Sequence, residues 1–294
     1  MILVLGKNGQ VGSALTQLLG DKAIAYDADT INLMQPDFAD RLSALADAHE
    51  ITTLINAAAY TAVDKAESER DIAMRINGIA VGEMAAWCKK HDVTLVHYST
   101  DYVFDGSGTH ARGESEPTAP LSVYGESKLL GEKLITDSGG EHLIFRTSWV
   151  YDAAGKNFVN TMLRLFPERE EVRVVADQIG APTYALHLAQ ATIAALEHAQ
   201  NAEHFPSGIY HLCGGGEASW YEFAKAIFTL ASSRESGIKC REVKPIPTSE
   251  YPTPARRPLN SRLDCTKAKA LLGVQLPHWE DALNECYESI RLRH

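Results

Sequence analysis

A chain of 294 residues with 45% apolar side chains is long enough for one large domain, or a domain and a half, around a substantial core. Its formal charge of −10 argues against a general nucleic-acid or anionic-membrane surface, while leaving room for one small basic pocket that takes an anionic substrate. No apolar run is long enough to span a membrane, the opening MILVL lacks a basic flank and a cleavage site, and the scattered Cys88, Cys213, Cys240, Cys265 and Cys286 lack metal-site spacing, so reduced thiols in a cytoplasmic protein are expected.

In chain order, ILVL at 2–5 reads as a buried strand, followed by the glycine-rich GKNGQVG and a helix through Leu19. AIAYD predicts a second strand, a helix carries Leu42, Leu45 and Ala46, and TLINAAA a third strand. A helix over roughly Glu67–Lys90 leads to the strand in TLVHYSTDYVF, and the helix containing Tyr124 and Lys128 leads to HLIFRTSW. RVV at 173–175 and IYHL at 209–212 read as further strands, with a helix over 184–197 between them. Beyond Gly214 the rhythm loosens into a helix at about 219–230, the proline-rich PIPTSEYPTPARRP, and helices near 266–272 and 279–290. Short apolar runs alternating with helical patterns predict a Rossmann-type α/β fold, a doubly wound parallel sheet with a smaller mixed α/β lobe at the carboxyl end. The expected division is 1–213 for a mainly NAD(P)-binding domain, with some segments after 147 contributing to the substrate lobe, and 214–294 for that lobe itself.

Gly6, Gly9 and Gly12 lie between the first strand and the first helix as G-x-x-G-x-x-G. Glycine permits a tight turn and close backbone approach, and free N–H groups at a helix start hold a pyrophosphate; a turn chosen only for tight packing would use the same residues. Asp27 ends the second strand 21 residues after Gly6, suited to accept from adenosine ribose hydroxyls and to favour NAD over NADP, or else to start a surface turn. The small side chains of Asn56–Ala59 let a flat ligand, or a tightly packed helix, lie against the strand end.

Tyr124 and Lys128 are four residues apart, on one face of a helix. A nearby ammonium lowers the pKa of a phenol, and a phenol so tuned gives its proton to a developing alkoxide; the bland alternative is a tyrosine packed on a lysine stem. Ser99 and Thr100 end the preceding strand, where ligands of such sheets bind. Thr100 is placed to bond a carbonyl oxygen and Asp101 and Tyr102 to shape the pocket, although the same residue types also serve as caps and turns.

These residues resemble an extended short-chain dehydrogenase/reductase and, within that superfamily, the dTDP-4-dehydrorhamnose reductase family. The matching phrases are GKNGQVG, NAAAYTAVDKAES, STDYVFDG, VYGESKLLGE, FRTSWVY, GAPT and YPTPARRPLNSRL, spread over nearly the whole length. The resemblance implies that NADPH or NADH reduces the C4 keto group of dTDP-4-dehydro-β-L-rhamnose, with Tyr124 as proton donor, Lys128 tuning it and holding cofactor ribose, and Thr100 on the keto oxygen. It implies cofactor contacts at Gly9, Gln10, Val11, Asp27, Asn32, Leu33, Ala57, Ala58 and Ala59, and substrate contacts at Trp149, Arg256 and Arg257. Some members form a dimer bridged by magnesium through glutamates, one of them in the first helix; Ala14 stands there, so monomer or homodimer both stay open and no magnesium is needed for the hydride chemistry. Two relatives compete. Sugar-nucleotide dehydratases and epimerases share the loop and the pair, but dehydratases commonly carry Thr-Asp-Glu where this chain has Thr100-Asp101-Tyr102. Regulatory subunits of methionine adenosyltransferase resemble the family over most of its length without turning over a sugar.

Overall fold

Side-chain alternation along short strands builds this protein around a sheet that is apolar on both faces. The computed structural model describes residues 1–234 and 236–293. The first part of the chain runs β1 (Ile2–Leu5), α1 (Gln10–Leu19), β2 (Ala23–Tyr26), α2 (Phe38–Ala48), β3 (Thr53–Asn56), α3 (Val63–Ala66), α4 (Arg70–Met74), α5 (Ala80–Lys90), β4 (Thr94–Thr100), α6 (Val123–Ser138) and β5 (His142–Thr147). Next come β6 (Val150–Tyr151), α7 (Phe158–Leu165), β7 (Glu171–Val175), β8 (Ile179–Gly180), β9 (Thr183–Tyr184), α8 (Ala185–Gln200) and β10 (Gly208–His211). The remainder is β11 (Ala218–Ser219), α9 (Trp220–Arg234), β12 (Glu242–Ile246), α10 (Thr266–Leu272) and α11 (Trp279–Arg291).

Six strands pair in parallel in the order β10-β5-β4-β3-β1-β2. Period-two alternation sends Val4, Ile55, Val96, Leu143 and Phe145 to one face, against Leu15 of α1 and Leu188 and Leu196 of α8. Leu3, Leu5, Leu54, Leu95 and Ile144 point to the other, against Leu42 of α2, Met84 of α5 and Ile135 of α6. The chain leaves β1 towards β2 on one side and later returns to lay β3 on the other. The carboxyl ends of β1 and β3 therefore flank a topological switch point, where open α/β sheets take their ligands.

The doubly wound sheet matches the sequence pattern, and the details differ in three places. The helix expected over 67–90 begins at Arg70 and is interrupted by a π turn at Arg75–Ile79, which turns Asn77 inward. The 173–175 strand leaves the main sheet and pairs in parallel with β12, an element not expected because Pro245 and charged residues crowd it. The helix near 266–272 packs back on the sheet: Ala268 and Leu272 of α10 join α8 and Tyr210 of β10 in one core. A separate core holds Tyr151, Val159, Val172, Phe223, Trp279 and Tyr287, from segments on both sides of α8 and β10.

All five cysteines are free, as expected of reduced thiols; the Cys213 and Cys265 sulfurs lie 3.6 Å apart. Among the described residues no helix is long and apolar enough to cross a membrane.

Candidate active site

The loop after β1 is built for close approach. Gly6 has φ +85°, a conformation that favours glycine, and a Cβ there would lie 2.7 Å from the Ala58 nitrogen. A side chain on Gly12 would collide with the Gly6 carbonyl, so α1 starts directly against the turn. Gly9 is the N-cap and brings no side chain to the first N–H groups of α1. Gln10 donates to the Val150 carbonyl at 3.4 Å, and its own Oε1 is buried with no partner among the described residues. Bare helix-start donors and a cradle that any Cβ would fill fit a dinucleotide pyrophosphate, while the orphaned Gln10 amide oxygen is an acceptor open to a hydroxyl or amide donor. Val11 packs into the core beside this turn, and Ala57, Ala58 and Ala59, half-buried, form the wall opposite. At the end of β2, Asp27 is hydrogen-bonded by the Asn8 side chain and by the Asp29 N–H at 3.1 Å. Asn32 closes a local turn by accepting from the Met34 N–H at 2.9 Å, while Leu33 is only 5% exposed and sits in the core with Ile31 and Phe38. Leu33 therefore spends most of its apolar surface on packing against this core.

At the end of β4 the candidate catalytic residues named from the sequence meet. Ser122 caps α6 by accepting from the Gly125 N–H at 3.2 Å, and Glu67 accepts from the Val123 N–H at 2.9 Å, which fixes the helix start. Side chains on Gly125 and Gly131 would collide with the carbonyls of Tyr102 and Asn77, so only glycine lets α6 lie this close to its neighbours. Tyr124, Lys128 and Glu132 recur every four residues and share the face turned to β4. Thr100 donates to Asp101 Oδ1 at 3.0 Å and accepts from the Tyr102 N–H at 3.2 Å. The Tyr102 ring meets the Tyr124 ring edge-on, with centroids 5.6 Å apart. Burial pushes the Asp101 carboxyl up to about 6.

The phenol behaves differently from the expectation of a lowered pKa. Burial raises the Tyr124 pKa above its ordinary value, the Asp101 carboxylate raises it further, and only a hydrogen bond with Thr100 opposes them. Lys128 turns its amine to His97 Nε2, at 3.2 Å, rather than to the phenol. Burial lowers the lysine pKa to about 8. Tyr124 is therefore a fully loaded acid in the resting chain.

Between β5 and β6, Trp149 has φ +49°, and its ring stacks on Trp220 at 3.7 Å between centroids. A side chain on Gly180 would approach the other part of the indole at 2.8 Å. An open cleft of about 440 Å³ is lined by Asp177, Thr248, Tyr251, Arg256 and Arg257, among others. Arg256 is exposed on its wall. Arg257 donates to Asp64 at 2.9 Å and to the Tyr102 hydroxyl at 3.3 Å, which ties the cleft to the Tyr102–Tyr124 pair.

Sequence reasoning passed over His97, Asn77, Asp64 and Trp220, and read Asn56 only as part of the small-residue wall at the end of β3. His97 and Ser99 were detectable as polar residues at period two in an otherwise apolar strand, on the face that meets Lys128 and Glu132. Asn77 bonds the Tyr60 backbone at both its N–H and its carbonyl, and Ser127 on α6, so it pins the loop after Ala59 to the reacting helix. Glu132 is closed by two bonds from Arg146, at 2.8 and 2.7 Å, and one from Ser99.

A family model described as the RmlD substrate binding domain matches residues 1–292. The chain is 45% identical to the dTDP-4-dehydrorhamnose reductase of Burkholderia thailandensis, with 98% of each covered. It is 43% identical to that of Escherichia coli K12, over 95% of this chain and 94% of the relative. Among solved structures, the dTDP-4-dehydrorhamnose reductase of Bacillus anthracis in complex with NADP superposes with a TM-score of 0.89 at 35% identity, covering 98% of both chains. The orthologue from Clostridium acetobutylicum gives 0.89 at 33% identity and 99% coverage.

Proposed function

The chain belongs to the RmlD substrate binding domain family, that of the dTDP-4-dehydrorhamnose reductases, and from this membership we propose how its side chains divide the work of reduction. The reaction is NAD(P)H-dependent reduction of the C4 keto group of dTDP-4-dehydro-β-L-rhamnose to give dTDP-β-L-rhamnose. The reduced nicotinamide, when bound, supplies the hydride. Gly6, Gly9, Gly12 and the start of α1 hold its pyrophosphate, supported by Gln10 and the wall of Ala57–Ala59, and Asp27 takes a ribose hydroxyl.

Thr100 and Tyr124 bind the keto oxygen from two sides. As negative charge develops there, the preplaced hydroxyls meet it and Tyr124 gives up its proton. Its raised pKa suits an acid that must stay loaded until an alkoxide, a much stronger base, arrives. Asp101 and Tyr102 shape the pocket, Trp149 packs on the sugar, and Arg256, with Arg257 released from Asp64, takes the diphosphate. Assembly is as a monomer or a homodimer without a magnesium bridge through α1, because Ala14 is buried and offers no carboxylate. The cytoplasm is the proposed place of work.

One observation carries this reading: the Tyr124 side chain hydrogen-bonds that of Thr100 where β4 ends. The experiment is Tyr124→Phe. It should bind NADPH as the parent does and lose roughly 10²–10⁴-fold in turnover of freshly generated keto sugar. Turnover close to that of the parent chain removes Tyr124 as the principal donor.

A further inference from the structure

Behind Lys128 lies a chain of three hydrogen bonds whose direction is set at one end. The Ala58 N–H, a backbone donor, bonds Asn56 Oδ1 at 3.1 Å. That contact fixes which way the Asn56 amide faces, so its Nδ2 donates to His97 Nδ1 at 3.1 Å. Nδ1 is therefore the acceptor nitrogen of a neutral imidazole, and the ring proton sits on Nε2. Nε2 in turn lies 3.2 Å from Lys128 Nζ. A donor on Nε2 is compatible with a free amine as acceptor and incompatible with an ammonium, which has only donors.

We propose that Asn56 and His97 form a buried chain that parks Lys128 as its free amine in the resting protein, making His97 a positioning residue for the lysine. The proposal rests on the reading of Lys128 as part of the reacting pair and adds what controls its state. Dinucleotide binding brings a pyrophosphate and ribose hydroxyls to the same end of the sheet. Anionic charge and new acceptors favour the ammonium, which takes its proton from solvent. Once charged, Nζ faces a donor on His97 and leaves it for the ribose and the phenol. The ammonium that the tyrosine needs thus arrives with the cofactor, and the chain begins at Ala58, in the cradle that receives it.

The surroundings allow this. Asn56, His97 and Lys128 are each at most 2% exposed. The charged group on α6 facing Lys128 is Glu132, which favours the ammonium but is already neutralised by Arg146 of β5 and bonded by Ser99 of β4. Towards the sugar stand Tyr124 on α6, and Asp101 and Tyr102 beyond β4; from β3 the ring meets only the uncharged Asn56. Burial alone holds His97 far below the usual imidazole range, so a charged ring is excluded as an alternative donor.

The test uses the full chain at about pH 9, where an ordinary lysine is still charged. Multiple-bond ¹⁵N–¹H NMR of histidine-labelled protein without cofactor, with the His97 signal assigned through His97→Gln, should show the proton on Nε2. A proton on Nδ1, or an imidazolium, overturns the proposal. Calorimetry of NADPH binding without sugar, in two buffers of different ionisation enthalpy, should show uptake of about one proton per site. In Asn56→Asp the carboxylate accepts from Nδ1–H, Nε2 becomes the acceptor, the lysine rests as an ammonium, and the uptake should fall towards zero. Equal uptake by both chains also overturns it. If NADPH does not bind, the dinucleotide reading fails, while the tautomer of the cofactor-free protein still decides the chain on its own.

Discussion

Lys128 is 2% exposed and its pKa is lowered by burial from 10.5 to about 8, so above that value it rests as the free amine and below it any charge is held at a cost to the fold. Between those two values the unfolded chain binds the proton and the folded chain does not, so the contribution to stability rises with pH through this window and the penalty is full below it. Lys128→Met should therefore be more stable than the parent near neutrality, by up to about 3 kcal/mol, and the difference should shrink as pH rises towards 10. Urea unfolding at three pH values checks this, and a difference that does not change with pH rules it out. The Tyr124–Lys128 spacing was legible because two side chains four apart must share a helix face. Where the amine points was not, since it depends on His97 and Asn56, brought in by two strands that only the sheet places side by side. The same holds for the phenol, whose pKa answers to burial and to Asp101 rather than to the cation nearest in sequence.

At the scale of the element, glycine contacts aim α6. Gly131 lies against the Asn77 carbonyl and Gly125 against that of Tyr102, while Leu130 and Leu134 cover Gly78 and Gly82. Gly131→Ala should force α6 off the π turn, lowering stability by about 1–3 kcal/mol and turnover with it, since Tyr124 and Lys128 ride on the same helix. Denaturant melts and steady-state rates measured together test this; a loss of stability with unchanged turnover shows that the aim of the helix tolerates the shift. The one mark of the π turn in the sequence is Asn77-Gly78, which was passed over because the apolar pattern continues on both sides of it and a helix tolerates an isolated glycine. By contrast β1, β3, β4 and β5 were legible from the apolar runs at their centres or starts, since strands buried on both faces need such runs.

Across the whole molecule, residues 255–264 run as a strap between the two cores. Asn260 bonds the Gly106 carbonyl at 3.0 Å, Arg112 and the strap exchange backbone bonds at 3.0 and 2.9 Å, and Ser261 bonds Ile179 at 2.7 Å. Arg257 and Ala255 fasten its beginning to Asp64. We expect the sheet and the lobe to unfold together for that reason: far-UV circular dichroism and tryptophan fluorescence should trace one urea transition, and two separated midpoints would show that the strap does not couple them. The lobe was the least legible part of the chain, because its core gathers short segments from both sides of α8 and β10, whose pairings are far apart in sequence. The strap also has a consequence for synthesis. The last strand of the six-stranded sheet ends at His211, whereas the guanidinium of Arg257 that reaches Tyr102 is encoded some 46 codons later. A nascent chain emerging from the ribosome thus has every strand of the sheet before the arginine that reaches Tyr102, and only later the α10 residues Ala268 and Leu272 that cover part of that sheet, so translation order sets strand pairing ahead of closure around Tyr102.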